Sequence, residues 1–199
     1  MAKLLFQGHG SLRLTTNENT VIYVDPYRGK GYDVPADYII MTHAHNYRRQ
    51  LLKPSKKPNC VVISNTDVVK DGIYKELDMS DVHVKAVPAY NKKNMDASEN
   101  GVGYVMYADG KTLYVAGSTT VYPEMEELAK LNIDYAFLPT DGVKNMNDQE
   151  ASVCAKMISA KHTIPIHMNM CKLFDPEIAD NFNADSRLIM IPGQEIELE

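Results

Sequence analysis

The chain has 199 residues, 44% hydrophobic and 24% charged, values typical of a soluble globular domain that buries roughly 70% of its unfolded surface. No apolar run reaches the about 18 residues needed to cross a bilayer, so membrane-spanning, disordered and fibrous classes are excluded and no membrane partner is expected. With 21 Lys plus Arg against 26 Asp plus Glu the net charge is -5, a field that repels polyanions, so nucleic acid is not an expected partner.

The chain opens with extended apolar runs separated by turn residues: Lys3 to Gln7, Ser11 to Thr15, then Val21 to Val24 ending at Asp25-Pro26. This pattern predicts an antiparallel meander. Tyr38 to Met41 and Cys60 to Ile63 are unbroken apolar runs and predict strands buried on both faces, with residues 52–59 as a surface loop between them. Val82 to Val87 alternates like a half-buried strand, and Asp109-Gly110 between two β-branched and aromatic runs predicts a hairpin over 101–116. Further on, Glu124 to Lys130 and Gln149 to Ser159 have helical spacing, the second preceded by Asn147 with Glu150 three positions later, as in a capping box. Strands are predicted at Tyr135 to Leu138, Thr163 to Ile166 and Leu188 to Ile191. Helices should therefore cover sheets within a single domain spanning residues 1–199.

Cys60, Cys154 and Cys171 are odd in number and widely spaced, which suits a reducing compartment and neither a disulfide framework nor a thiolate zinc site. The first ten residues lack the apolar core of a signal peptide, and a cytoplasmic location is expected.

Three of the six histidines fall where an apolar strand ends: His43 and His45 after Tyr38 to Met41, and His167 after Thr163 to Ile166. Residues i and i+2 of an extended segment point to the same side, so His43 and His45 can turn two imidazoles toward one point, as a metal site requires. His9 lies between two glycines that allow close backbone approach, and Asp25 ends a strand where it could orient an imidazole. His83 and His162 are assigned structural places.

The segments Gly8-His9-Gly10, Val24-Asp25-Pro26, Thr42-His43-Ala44-His45, Val87-Pro88-Ala89-Tyr90-Asn91, Gly101-Val102-Gly103-Tyr104, Ala116-Gly117-Ser118-Thr119 and Ile164-Pro165-Ile166-His167 together resemble the metallo-β-lactamase superfamily, in particular its small single-domain, metal-dependent hydrolases related to the ascorbate-6-phosphate lactonases. The resemblance implies an α/β fold, a four-layer αββα sandwich with a metal site at one edge, and hydrolysis of a small ester or lactone.

The chain departs from the family pattern His-x-His-x-Asp-His at its second half, where Tyr47 and Arg48 stand in place of the aspartate and the last histidine. A further family histidine aligns with Asn94 or Asp96, and Ser118 replaces the bridging aspartate. Three neutral nitrogen donors cannot offset two dications, and the Arg48 guanidinium has no lone pair to donate, so a dinuclear centre is not expected. One zinc, manganese or iron ion on His43, His45 and His167, with Asp96 as a candidate fourth ligand, stays open. The four losses together weigh toward no tightly bound metal. Tyr47, Arg48, Asn94 and Ser118 are the substituted positions expected around the pocket, while His9, Asp25 and Asp141 are expected behind the ligands. No general base is identified; Asp96 and Asp141 are the candidates.

Three functions remain open: a hydrolase with a reduced site, a non-catalytic relative that binds an anionic small molecule, and an interaction module. For the second, Arg48, Arg49, Lys53, Lys56 and Lys57 form a basic cluster suited to phosphate or carboxylate, although a solvated loop explains the lysines better.

Overall fold

The structure is a computed structural model that describes residues 1–43, 51–91 and 101–199. Its first half runs β1 (Lys3–Gly8), β2 (Ser11–Thr15), β3 (Val21–Val24), β4 (Ala36–Ile40), β5 (Lys56–Ile63), α1 (Asn65–Val68), β6 (Val69–Lys70), β7 (Ile73–Tyr74), β8 (Glu76–Met79) and β9 (Val82–Pro88). Then come β10 (Val102–Ala108), β11 (Lys111–Val115), a 3-10 helix (Pro123–Leu131), β12 (Tyr135–Pro139), α2 (Asp148–Ile158), β13 (His162–Ile166), α3 (Pro176–Asn181) and β14 (Gln194–Glu197).

Two six-stranded sheets face each other, ordered β14-β1-β2-β3-β4-β5 and β13-β12-β11-β10-β9-β8. In the first sheet β1, β2 and β3 form the expected antiparallel meander, and β4 and β5 continue it in parallel. The second is antiparallel from β8 to β11 and parallel from β11 to β13. The period of two along each strand builds the core. From β3, Ile22 and Val24 point between the sheets while Val21 and Tyr23 pack outside with Tyr32; from β10, Val102, Tyr104 and Met106 point inward. The outer face of the second sheet carries α2 through Ala151, Cys154, Ala155 and Ile158, and the 3-10 helix through Met125 and Leu128.

Local chemistry accounts for the anticipated elements. Asp109 and Gly110 have φ of 50° and 74°, the pair of positive angles a two-residue hairpin turn needs. Asn147 Oδ1 accepts from Glu150 N at 2.7 Å, and Glu150 Oε2 accepts from Asn147 N at 2.9 Å, closing the capping box on α2.

Three expectations are corrected. Cys60 to Ile63 is not buried on both faces, because among the described residues β5 pairs only with β4 and forms the sheet edge, leaving Val61 47% exposed. Residues 56–59 belong to that strand and not to a loop; the bulge between Ala36 and Tyr38 accommodates its extra length. Leu188 to Ile191 is not a strand: among the described residues only Arg187 makes a bridge to β13 outside the named strands, and the edge partner of β1 is β14. The hairpin of β6 and β7, turned on Asp71-Gly72, is too short for alternation to register in the sequence.

Candidate functional site

The strand ends of both sheets meet at one edge. Val102 N donates to Thr42 O at 2.6 Å and His167 N donates to His9 O at 2.6 Å, so the turns after β4 and β13 are each tied to an element of the opposite sheet. Backbone strain gathers here: Asp25, His9 and His167 have φ of 44°, 59° and 49°, in the left-handed region that costs side chains other than glycine about 1–3 kcal/mol each. Gly117 shows how closely the turns approach. At φ +68°, a Cβ on it would stand 2.6 Å from Val102 O and 2.9 Å from Thr42 Cβ. Ser118, half-buried, follows it in the same turn.

Around His43 the groups form a chain. Asp25 Oδ1 accepts from Thr42 N at 2.9 Å and Asp25 Oδ2 from Thr42 Oγ1 at 2.5 Å; Thr42 Oγ1 lies 2.8 Å from His43 Nδ1. A carboxylate only accepts, so the Thr42 hydroxyl proton points at Asp25 and its oxygen receives the Nδ1 proton of His43. That tautomer puts the lone pair on Nε2, the arrangement of an imidazole prepared for a metal. Asp25 thus orients His43 through Thr42.

His167 is held from three sides. Its ring centroid lies 3.8 Å from that of His9 at an interplanar angle of 45°, and its Nδ1 lies 2.9 Å from Asp141 Oδ2, a close charge contact without the alignment of a hydrogen bond. Burial alone would raise the Asp141 carboxyl, but the His167 imidazole and the backbone N–H groups of Lys144 and Val143 outweigh it and hold the pKa well below the usual carboxylate range. His9, buried, is pushed down to about 4, by burial first and by the His167 charge next. It is therefore neutral near pH 7, and it secures the segment after His167: its N donates to Leu173 O at 2.7 Å and its Nδ1 lies 3.3 Å from Lys172 O. Tyr27 packs edge-on to His9, and burial together with the Asp25 charge pushes its phenol up to about 12, leaving it a protonated donor.

His45, Tyr47, Arg48, Arg49, Asn94 and Asp96 lie outside the described residues. Among the described residues, no three His, Cys, Asp or Glu side chains form a group able to hold a metal ion. The donor chemistry still fits one as far as it goes: His43 and His167 each keep Nδ1 beside an oxygen partner, as ligating imidazoles do. The lysines of the basic cluster are spent on their own surroundings. Lys53 Nζ donates to Tyr27 O and Gly29 O, Lys56 Nζ to Leu51 O, and Lys57 Nζ pairs with Asp37 Oδ2 at 2.7 Å. His83 sits between Asp78 and Glu76 on the exposed ladder of β8 and β9, and His162 stacks on Tyr135. Sequence reading passed over Thr42 and Asn145 as site residues. Their signals are adjacency to a strand-end histidine for the first, and a place four residues after an aspartate that caps its own loop for the second.

A family model described as Beta-lactamase superfamily domain matches residues 3–167. A UPF0173 metal-dependent hydrolase of Anoxybacillus flavithermus is 29% identical over 98% of this chain and 100% of its own length, and the UPF0173 metal-dependent hydrolase YtkL of Bacillus subtilis is 27% identical over 98% and 100%. The crystal structure of a protein assigned as a metal-dependent hydrolase from Parabacteroides distasonis superposes with a TM-score of 0.75 at 29% identity, covering 96% of this chain and 93% of that one. That of Igni18, a metallo hydrolase from Ignicoccus hospitalis, superposes with a TM-score of 0.69 at 19% identity over 98% and 97%, a likeness of fold. No helix among the described residues is long and apolar enough to cross a membrane. The two-sheet fold, the strand-end histidines and the matched residues agree: the chain belongs to the β-lactamase superfamily.

Proposed function

We propose that this chain hydrolyses a small ester or lactone with one divalent metal ion, zinc, manganese or iron, held by His43, His45 and His167. The observation that carries the reading is the chain from Asp25 through Thr42 to His43, which would serve no purpose on a solvated loop histidine. A metal so held supplies a Lewis acid and lowers the pKa of water. The residues of the chain do the rest. Asp25 and Thr42 fix the proton of His43 on Nδ1, Asp141 places negative charge beside His167, and Tyr27 offers a phenolic proton next to His9. Ser118 and Tyr47 in place of family carboxylates remove the charge that a second metal needs, which supports a mononuclear site. The ligand is read as a small molecule.

Elemental analysis by plasma mass spectrometry, on protein purified without a metal column or chelator, tests this. Near-stoichiometric metal, lost in His43→Ala and His167→Ala, is the expected result. Metal at background level in the folded wild type would overturn the reading and leave a relative that binds an anionic small molecule without metal.

A further inference from the structure

Asn145 is completely buried, and its amide serves one side-chain partner. Nδ2 donates to Asp141 Oδ2 at 2.6 Å, while Oδ1 has no hydrogen-bond partner among the described residues. Turning the amide over would set two oxygens against each other, so the orientation follows from the chemistry. A buried acceptor without a partner is a cost that an apolar side chain of the same volume avoids. Stability alone therefore does not explain an asparagine here.

The explanation lies in Asp141. Its Oδ1 is filled by the backbone N–H groups of Val143, Lys144 and Asn145 at 2.8, 3.0 and 3.2 Å. Only Oδ2 is left to face His167, and that is the oxygen Asn145 pins, 2.9 Å from His167 Nδ1. A carboxylate oxygen that close repels a nitrogen lone pair and favours a proton on Nδ1, whereas a free histidine side chain prefers its neutral proton on Nε2. We propose that Asn145 is a positioning residue for His167: it locks the Asp141 carboxylate so that His167 keeps its proton on Nδ1 and presents the Nε2 lone pair toward the site. The use of that lone pair rests on the reading of His167 as a metal ligand; the tautomer itself does not.

Two-bond proton–nitrogen NMR spectra of metal-free protein at alkaline pH test this, with the His167 signals assigned by their loss in His167→Gln. The expected result is a proton on Nδ1 of His167 in the wild type and a majority on Nε2 in Asn145→Leu and Asn145→Ala, with the His43 tautomer unchanged. Asn145→Leu keeps the volume and removes the orphaned oxygen, so it should fold where Asn145→Ala does not. His167 retaining Nδ1–H in either folded variant, or carrying its proton on Nε2 in the wild type, would overturn the proposal. So would failure of both variants to fold, which would give Asn145 to loop stability alone. Zinc titration of the same proteins is read separately: roughly 10–100-fold weaker binding is expected in the variants. A wild type that binds no zinc would overturn the ligand reading and leave the tautomer result standing.

Discussion

Asp25 and Thr42 are joined twice, backbone N–H to Oδ1 at 2.9 Å and hydroxyl to Oδ2 at 2.5 Å, both inside the buried edge of the sandwich. The double link fixes which way the hydroxyl points, and so which nitrogen of His43 carries the proton. Thr42→Val removes the hydroxyl and leaves one Asp25 oxygen and the His43 Nδ1 proton without that partner. A loss of about 1–3 kcal/mol is expected by urea unfolding, with zinc affinity about 10–100-fold lower by competition titration. Thr42→Ser should retain most of both. Unchanged zinc affinity in Thr42→Val would contradict the orienting role.

Gly117 and Gly110 have nearly the same backbone angle, φ +68° and +74°, but different surroundings. Nothing lies within 4 Å of a Cβ built at Gly110, so Gly110→Ala should cost only the left-handed penalty, about 1–2 kcal/mol. At Gly117 the same methyl meets Val102 O and Thr42, so Gly117→Ala should cost clearly more and displace the His43 turn. Thermal unfolding of the two variants side by side checks the difference; equal shifts would count against the close approach.

Asp134 joins the starts of β11, β12 and β13: Oδ2 accepts from Thr112 N at 2.8 Å and Oδ1 from Lys161 Nζ at 2.7 Å. Burial alone would raise its carboxyl, but Lys161 and the Thr112 N–H outweigh it and hold the pKa below the usual value. A folded pKa below the unfolded one, about 3.9, makes the contribution full above that unfolded value and lost as pH falls through the folded one. Asp134→Asn should thus be less stable than the wild type near neutral pH, with the gap closing in acid. Denaturation midpoints across that range decide it, and a gap that does not change with pH would refute the linkage.

Asn147→Ala removes the cap of α2, whose buried face covers the second sheet. A loss of about 0.5–2 kcal/mol is expected by chemical denaturation, with zinc binding untouched because the cap lies outside the ligand contacts.

Much of the fold was legible because it rests on short-range rules. Extended apolar runs between turn residues marked β1, β2 and β3, alternation marked β9, the Asp109-Gly110 pair between β-branched and aromatic runs placed the hairpin of β10 and β11, and Asn147 with Glu150 marked the start of α2. The edge position of β5 was not legible, since an apolar run reads alike whether a further strand covers it or solvent does. Nor was Leu188 to Ile191, whose apolar character packs without a ladder of its own.

By itself the amino-acid order marked β1 to β4, β9 to β13 and the Asp109-Gly110 turn, and it put histidines at strand ends of a β-lactamase superfamily fold. Tertiary structure alone decided which groups stand behind those histidines. Thr42 between Asp25 and His43, His9 against His167, and Asn145 behind Asp141 are contacts across sheets or within a folded loop. Hydrogen bonds of this kind depend on ångström-scale approach of residues far apart in the chain, and no periodicity along the sequence encodes that approach.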